Sequence, residues 1–400
     1  MKITKAIRLS IIVFLCLVLL GCGAQSVVGP VSNQTPKQSA DEIPKFSHSV
    51  KPKTSVRKSV TLVATGDILM HNTQIWSGQQ ANGSYNFDHF FSSVKPLLEY
   101  GDYTSANFEA AMAGGEAGYT GYPRFNSPDE VATTLKSAGY DLIVTSNNHI
   151  LDRGYSGAIR TMRVLRNAGL DIVGTYQSQE ERDTYFIKDL DGVRVGYLAY
   201  SYGTNGIPVP KEQPYFFNFL NKEIILKDIA QLSPKVDVLV LVLHWGVEYS
   251  LQPTEEQREL ARLFLEKGAD VILGSHPHVI QPMEVMNINN QDKLVVYSMG
   301  NFIGDQRGVE RNSGVILNIT FQKDHTKGET LLKEVSYTPT YSHSYFENKR
   351  RQFRVVSVED AIRKIQEGKD PYLKSSDLAV LKQVLAQTQK QLGMPYKQDI

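Results

Sequence analysis

The chain has 400 residues, 41% of them hydrophobic and 10% aromatic, enough apolar mass for a sizeable core, which excludes global disorder. Lys and Arg number 43 against 42 Asp and Glu, a formal net charge of +1, so no whole-chain basic field gathers phosphate backbones and nucleic acid is excluded as a main partner. Both cysteines, Cys16 and Cys22, sit near the N-terminus, so metal chemistry further along must use His, Asp, Glu and Asn.

Lys2, Lys5 and Arg8 precede an apolar run, Ile11 to Leu20, that ends in Gly21-Cys22-Gly23. A basic start and a short apolar stretch read as a secretory signal over residues 1–22. The stretch falls short of the ~20 residues that span a bilayer comfortably. Leu19-Leu20-Gly21-Cys22 resembles the lipobox of bacterial lipoproteins, which implies lipidation of Cys22; an uncleaved anchor helix is the alternative. Both readings tether the rest of the chain to the membrane, outside the cytoplasm. Residues 23–58 are rich in Ser, Gln, Lys and Pro with no apolar period, the composition of a solvated linker.

Folding is expected from residue 59, where Val60–Thr65 reads as a buried strand. Further strands are predicted at Tyr103–Phe108, Asp141–Thr145, Asp171–Val173, Arg194–Tyr200, Val236–Leu243, Asp270–Leu273, Lys293–Ser298, Gly314–Phe321 and Leu331–Thr338. Helical patterns fall at Phe87–Leu98, Asp129–Ala138, Tyr155–Ala168, Lys222–Leu232 and Thr254–Lys267, the last with a Thr254/Gln257 capping box. This alternation argues an α/β fold rather than an all-β sandwich, and the late strands without a helix between them argue a partly antiparallel sheet. The domain is expected to run over 59–345. Residues 346–400 read as a C-terminal helical extension, with Ser357 and Ser376 opening its helices and Leu378, Leu381, Leu385 and Leu392 on one stripe. That stripe packs on its own domain or meets a partner.

Five of the nine histidines lie in short segments at predicted strand ends, where open α/β sheets collect ligands. Gly66-Asp67 follows the first strand, with His71 beyond it. In Asn107-Phe108-Glu109, alternation puts the amide and the carboxylate on one side, which suits a metal site or ordinary turn chemistry. Asn147-Asn148-His149 and Asp152 crowd a loop after a strand; Asn148 offers an oxygen to a hard cation, and Asp152 is near enough to orient the imidazole. His244 ends an apolar strand, where core histidines also occur, and Trp245, Gly246 and Glu248 follow it. His276-Pro277-His278 on an extended segment points two imidazoles to one side, a way to hold one or two transition metals. Ser298-Met299-Gly300-Asn301 is a glycine-permitted turn that shapes the pocket. Combined, Asp67, Glu109, Asn148, His244, His276 and His278 form an oxygen–nitrogen set that suits two ions such as Mn, Fe or Zn. His149 is then the general acid, with Asp152 fixing its tautomer.

The order of these motifs, completed by Tyr297-Ser298-x-Gly300-Asn301-Phe302, resembles the bacterial capsule-synthesis family CapA, associated with poly-γ-glutamate capsules. The resemblance covers roughly residues 60–305. That family is similar to the calcineurin-like metallophosphoesterases, which implies a four-layer α/β/β/α sandwich with mixed sheets. It implies the same six metal positions, with His149 as the catalytic histidine. Two departures stand out: His71 lies four residues after Asp67 where the pattern has Asp-x-His, and Glu109 replaces a bridging aspartate.

The expected function is an exported, lipid-anchored, two-metal hydrolase acting on an anionic envelope polymer or precursor such as poly-γ-glutamate, through a phosphoester or a γ-glutamyl amide. Asn107, Asn147, Glu248, Asn301 and Arg153 are candidate substrate contacts. Arg124, Arg307 and Arg311 also lie in loops near the motifs, as anion-binding groups or as solvated surface charge. The alternative is a non-catalytic capsule assembly or export component that binds metal or polymer, working with other capsule-synthesis proteins.

Overall fold

A computed structural model describes residues 57–398. The expected signal, Cys22 and nearly all of the linker lie outside the described residues. Fifteen strands are present among those described: β1 (Arg57–Ile68), β2 (Tyr103–Phe108), β3 (Leu142–Val144), β4 (Asp171–Val173), β5 (Phe186–Leu190), β6 (Val193–Ser201), β7 (Val238–His244), β8 (Val271–Ser275), β9 (Met283–Ile288), β10 (Gln291–Val296), β11 (Asn301–Ile303), β12 (Ser313–Asp324), β13 (Glu329–Glu347), β14 (Arg350–Ser357) and β15 (Tyr396–Lys397). One sheet runs β14-β13-β12-β1-β2-β3-β4, with β11 on β1 and β15 on β13; the other runs β5-β6-β7-β8-β10-β9.

Side-chain alternation builds the layers. In β7, Val238, Val240 and Val242 enter the cluster between the sheets, whereas Leu239, Leu241 and Leu243 enter the outer one. β1 does the same, Leu62 and Ala64 facing inward and Val63 outward. Strands buried on both faces show as continuous apolar runs, which is why they are legible in the sequence. Helices Glu130–Ser137 and Gly154–Asn167 cover the first sheet through Val131, Leu135, Ala158 and Met162. Helices Lys222–Leu232 and Glu255–Glu266 cover the second through Ile225, Ile229, Ala261 and Phe264. The result is the expected α/β/β/α sandwich with two mixed sheets.

Strands β1 to β4 run parallel, as do β6 to β8, while β12, β13 and β14 are antiparallel. The end of the chain departs from expectation: the 345/346 boundary falls inside β13, and β14 and β15 extend the sheet beyond it. Helices Val358–Glu367 and Asp377–Leu392 then pack back on the domain through Val358, Ala361, Leu381 and Val384. Ser376 occupies the N-cap position without a capping bond. The helix expected over 87–98 is instead a 3₁₀ turn, Asp88–Phe90, and one helical turn, Lys95–Leu98. Ser92 and Ser93 favour turns, and Pro96 fits the first turn of a helix but not its interior. Among the described residues no helix is long and apolar enough to cross a membrane.

The Thr254/Gln257 capping box is formed. Thr254→Ala is expected to cost about 1 kcal/mol, and Phe264→Ala, which empties a fully buried site, about 3–5 kcal/mol. Denaturant titration of the two variants measures both; equal losses would contradict this division of labour.

Candidate metal centre

The carboxyl ends of the two parallel runs deliver the chemistry to one place. Asp67 lies near the end of β1, Glu109 follows β2, Asn148 and His149 follow β3, His244 ends β7, and His276 and His278 lie just past β8. Asp67 and Glu109 are 0% exposed, and none of the others exceeds 6%. Two glycines permit the close backbone approach behind them. A Cβ on Gly66 would sit 2.0 Å from the Gly300 carbonyl oxygen, and one on Gly274 would sit 1.8 Å from that of Tyr297.

Ligand-capable atoms form two overlapping sets, Asp67–Glu109–His278 and Glu109–His244–His276, each with its atoms within 4.8 Å of one another. Glu109 belongs to both. Its Oε1 lies 3.7 Å from His278 Nε2 and 3.8 Å from His244 Nε2, yet neither of its oxygens has a hydrogen-bond partner. His276 Nδ1 is likewise buried without one. His244 Nε2 lies 2.8 Å from Asn148 Oδ1, which brings the amide to the second set. The exposed Glu248 forms a third set with His276 and His278. A buried carboxylate without a donor costs several kcal/mol unless a cation compensates it. Oxygen and imidazole donors without sulfur therefore fit a divalent transition metal here.

The electrostatics agree with that fit. Burial, with Asp67 and Glu248 adding repulsion against the pull of His278, raises the Glu109 carboxyl well above its usual range. Burial also works to depress His278, but Glu109, Asp67 and Asn301 hold it up to about 9. His276 falls to about 4 through burial and the charge of His278, and His244 falls well below its ordinary value through burial and its histidine neighbours.

Several expected substrate contacts turn out to hold other residues. Asn107 donates to Asp67 Oδ1 at 2.8 Å. Asn147 donates to Asn107 Oδ1 at 3.1 Å and to the Phe108 carbonyl at 2.8 Å. Asn301 Oδ1 lies 3.0 Å from His278 Nδ1. These three amides are buried behind the carboxylates, where they orient ligands. Arg153 spends its guanidinium on Thr120 Oγ1 and the Phe125 and Arg124 carbonyls, so it braces a loop. The segment expected to be extended through His276 and His278 is a loop in which both residues take positive φ, 95° and 59°. Trp245 stays in the outer core, its indole N–H bonded to the Tyr297 carbonyl. His71 belongs to none of the metal-competent sets. It caps helix Asn72–Gly78, and its Nδ1 accepts from the Asp305 N–H at 3.2 Å.

His149 stands beside the two sets that share Glu109, its Nδ1 2.8 Å from Asp152 Oδ2. Asp152 is itself fixed by the Phe125 N–H at 2.7 Å, and Phe125 meets the imidazole edge-on at 4.8 Å. Ser275, whose Oγ is 2.8 Å from His244 Nδ1, escaped sequence reasoning. So did Tyr202, 4.4 Å from His276 ring to ring, and Asn205, which accepts from Asn148 Nδ2 at 3.1 Å. The polar Ser201-Tyr202-Gly203-Thr204-Asn205 loop after an apolar strand carried the signal that flagged the other segments.

Imidazoles must be neutral to bind metal. With His278 held near 9 and the Glu109 carboxyl raised, Mn²⁺ affinity is expected to rise with pH, by roughly tenfold per unit for each proton displaced, and the His278 contribution to level off above about 9. Titration against a competing chelator measures the slope, and a flat profile would exclude His278 as a ligand. Glu109→Gln should abolish the rise in melting temperature that Mn²⁺ produces in the unmodified protein.

Comparison with known proteins places this chain in a family. A profile described as bacterial capsule synthesis protein PGA_cap matches residues 61–306, the stretch that carries every metal-competent residue. The capsule biosynthesis protein CapA of Bacillus anthracis is 31% identical over 260 residues, 62% of this chain and 61% of that protein. The PGA biosynthesis protein CapA of Bacillus subtilis is 29% identical over 244 residues, 60% and 63% of the two chains. The chain thus spans about three-fifths of the length of these curated relatives. Among solved structures, the 5'-nucleotidase precursor of Thermus thermophilus aligns at 17% identity and TM-score 0.42, covering 83% of this chain and 59% of that one. The chain belongs to the bacterial capsule synthesis protein family PGA_cap.

Proposed function

We propose that this protein is a membrane-tethered, extracytoplasmic hydrolase of capsule synthesis that holds two divalent transition-metal ions, Mn, Fe or Zn, and acts on an anionic envelope polymer or precursor such as poly-γ-glutamate. The observation that carries the proposal is Glu109, a fully buried carboxylate without a hydrogen bond that is shared by two ligand sets. A carboxylate in that position would contribute to holding both ions.

Asp67, Glu109 and His278 would hold one ion, and Glu109, His244 and His276, with Asn148, would hold the other. The chemistry that ions there would supply is polarisation of the scissile group and a water made nucleophilic at neutral pH. The protein's own contribution lies in geometry and proton transfer. The 2.8 Å contact to Asp152 directs the His149 Nδ1–H to the carboxylate, so that the ring in its doubly protonated form gives its Nε2 proton to the departing alkoxide or amine and is left neutral. Either leaving group needs that proton, so the same dyad serves a phosphoester or a γ-glutamyl amide. Asn107, Asn147, Asn301 and Ser275 hold the ligands in register, which saves reorganisation during reaction. Tethering rests on Cys22 and the apolar run before it. Other capsule-synthesis proteins are the natural partners of an enzyme in that position.

His149→Ala in the full-length, Mn²⁺-loaded protein is expected to keep the metal content and lose roughly a hundredfold or more of turnover on poly-γ-glutamate or a generic phosphodiester. Capsule formation undiminished by that variant would overturn the hydrolase and leave an assembly or export component that binds metal or polymer.

A further inference from the structure

We infer that Arg311, stacked on Tyr249 at the mouth of the centre, is a specificity-determining residue that takes a carboxylate of the substrate chain next to the bond under attack. This rests on the substrate class proposed above and adds to it the group that reads that class.

The Arg311 guanidinium carbon lies 3.5 Å from the centroid of the Tyr249 ring. That ring lies 6.0 Å from the imidazole of His278. Both halves of the stack are fixed from the metal side. Tyr249 takes a left-handed φ of 66°, a conformation that needs support from its surroundings, and its N–H donates to the Pro277 carbonyl at 2.7 Å, between the two loop histidines. The Arg311 carbonyl accepts from Asn301 Nδ2 at 2.7 Å, while Oδ1 of the same fully buried amide meets His278 Nδ1. One asparagine therefore sets the position of a metal-competent imidazole and of the arginine backbone.

The charge on Arg311 is uncommitted. Among the described residues it makes no ion pair, whereas Arg160, Arg351 and Arg354 pair with Asp129, Asp305 and Asp370. Arg124 and Arg153 are spent on backbone carbonyls. The adjacent Glu310 faces away, its Oε1 accepting from Gln383 and Gln387 of the C-terminal helix. A stacked guanidinium keeps its edge N–H groups free, and their planar fork matches a carboxylate. Tyr249 is 39% exposed, so its ring also offers the extended chain an apolar rest beside the fork.

The test uses the full-length, Mn²⁺-loaded protein and equilibrium dialysis with three probes: a γ-glutamyl oligomer, the same oligomer with its side carboxylates amidated, and poly(glycerol phosphate). Arg311→Ala and Arg311→Gln, checked for unchanged metal content and melting temperature, should each weaken binding of the glutamyl oligomer roughly tenfold. The amidated oligomer should bind unmodified protein and variants alike. Glutamyl binding unchanged in both variants overturns the assignment. An equal loss for poly(glycerol phosphate) overturns the carboxylate and leaves a general anion site. Turnover measured on the same samples keeps the two proposals apart: an inactive protein whose glutamyl binding still depends on Arg311 removes the hydrolase alone.

Discussion

A carboxyl group shut away from water dominates this molecule. Glu109 has no donor for either oxygen, and Asp67, equally buried, lies near enough to raise its carboxyl further. Protonated His278 offsets part of that burden, which is why its imidazole is held up to about 9. His278 lies 3.4 Å from Asp67 and 3.7 Å from Glu109, yet Glu109 keeps no hydrogen bond, and the charge of His278 helps to hold His244 and His276 neutral. The arrangement makes sense as a cradle for positive charge, and the two neutral imidazoles are prepared to meet it without first losing a proton.

The sandwich explains how such a cluster holds its shape. Asp67, Glu109 and Asn148 come from one sheet, and His244, His276 and His278 from the other. Packing between the sheets therefore sets the spacing of the donors. Close-packed interiors resist small displacements, and the glycines at 66 and 274 let backbones meet where a methyl group would force them apart. Behind them, Asn107, Ser275 and Asn301 fix Asp67, His244 and His278.

The legible parts of the chain and the illegible ones differ for physical reasons. β2 and helix Lys222–Leu232 match their predicted spans, because burial on both strand faces and on one helical face leaves a strong periodic imprint. Strands β5, β9 and β14 leave no such imprint: β5 and β9 are largely part-exposed, and β14 opens Arg350-Arg351-Gln352, so each mixes polar and apolar residues too evenly. The metal-competent residues could be named because strand ends concentrate polar groups. Their supports could not, since the bond from Ser275 to His244 or from Asn301 to His278 depends on a partner tens of residues away. The backbone at His276 and His278 is of the same kind, its turn set by the Tyr249 N–H on the Pro277 carbonyl.

Strand β1 carries Asp67 through the middle of its sheet, with β2 on one side and β12 on the other. β2 is made soon after β1, but β12 is made more than two hundred residues later. Until then the open flank of β1 presents unpaired amides and carbonyls beside an apolar face, the kind of edge that recruits other chains. High contact order of this sort slows folding and lengthens the exposure. The cradle therefore cannot assemble during synthesis of its first half, and the flank of β1 stays open to other chains until the late antiparallel strands arrive.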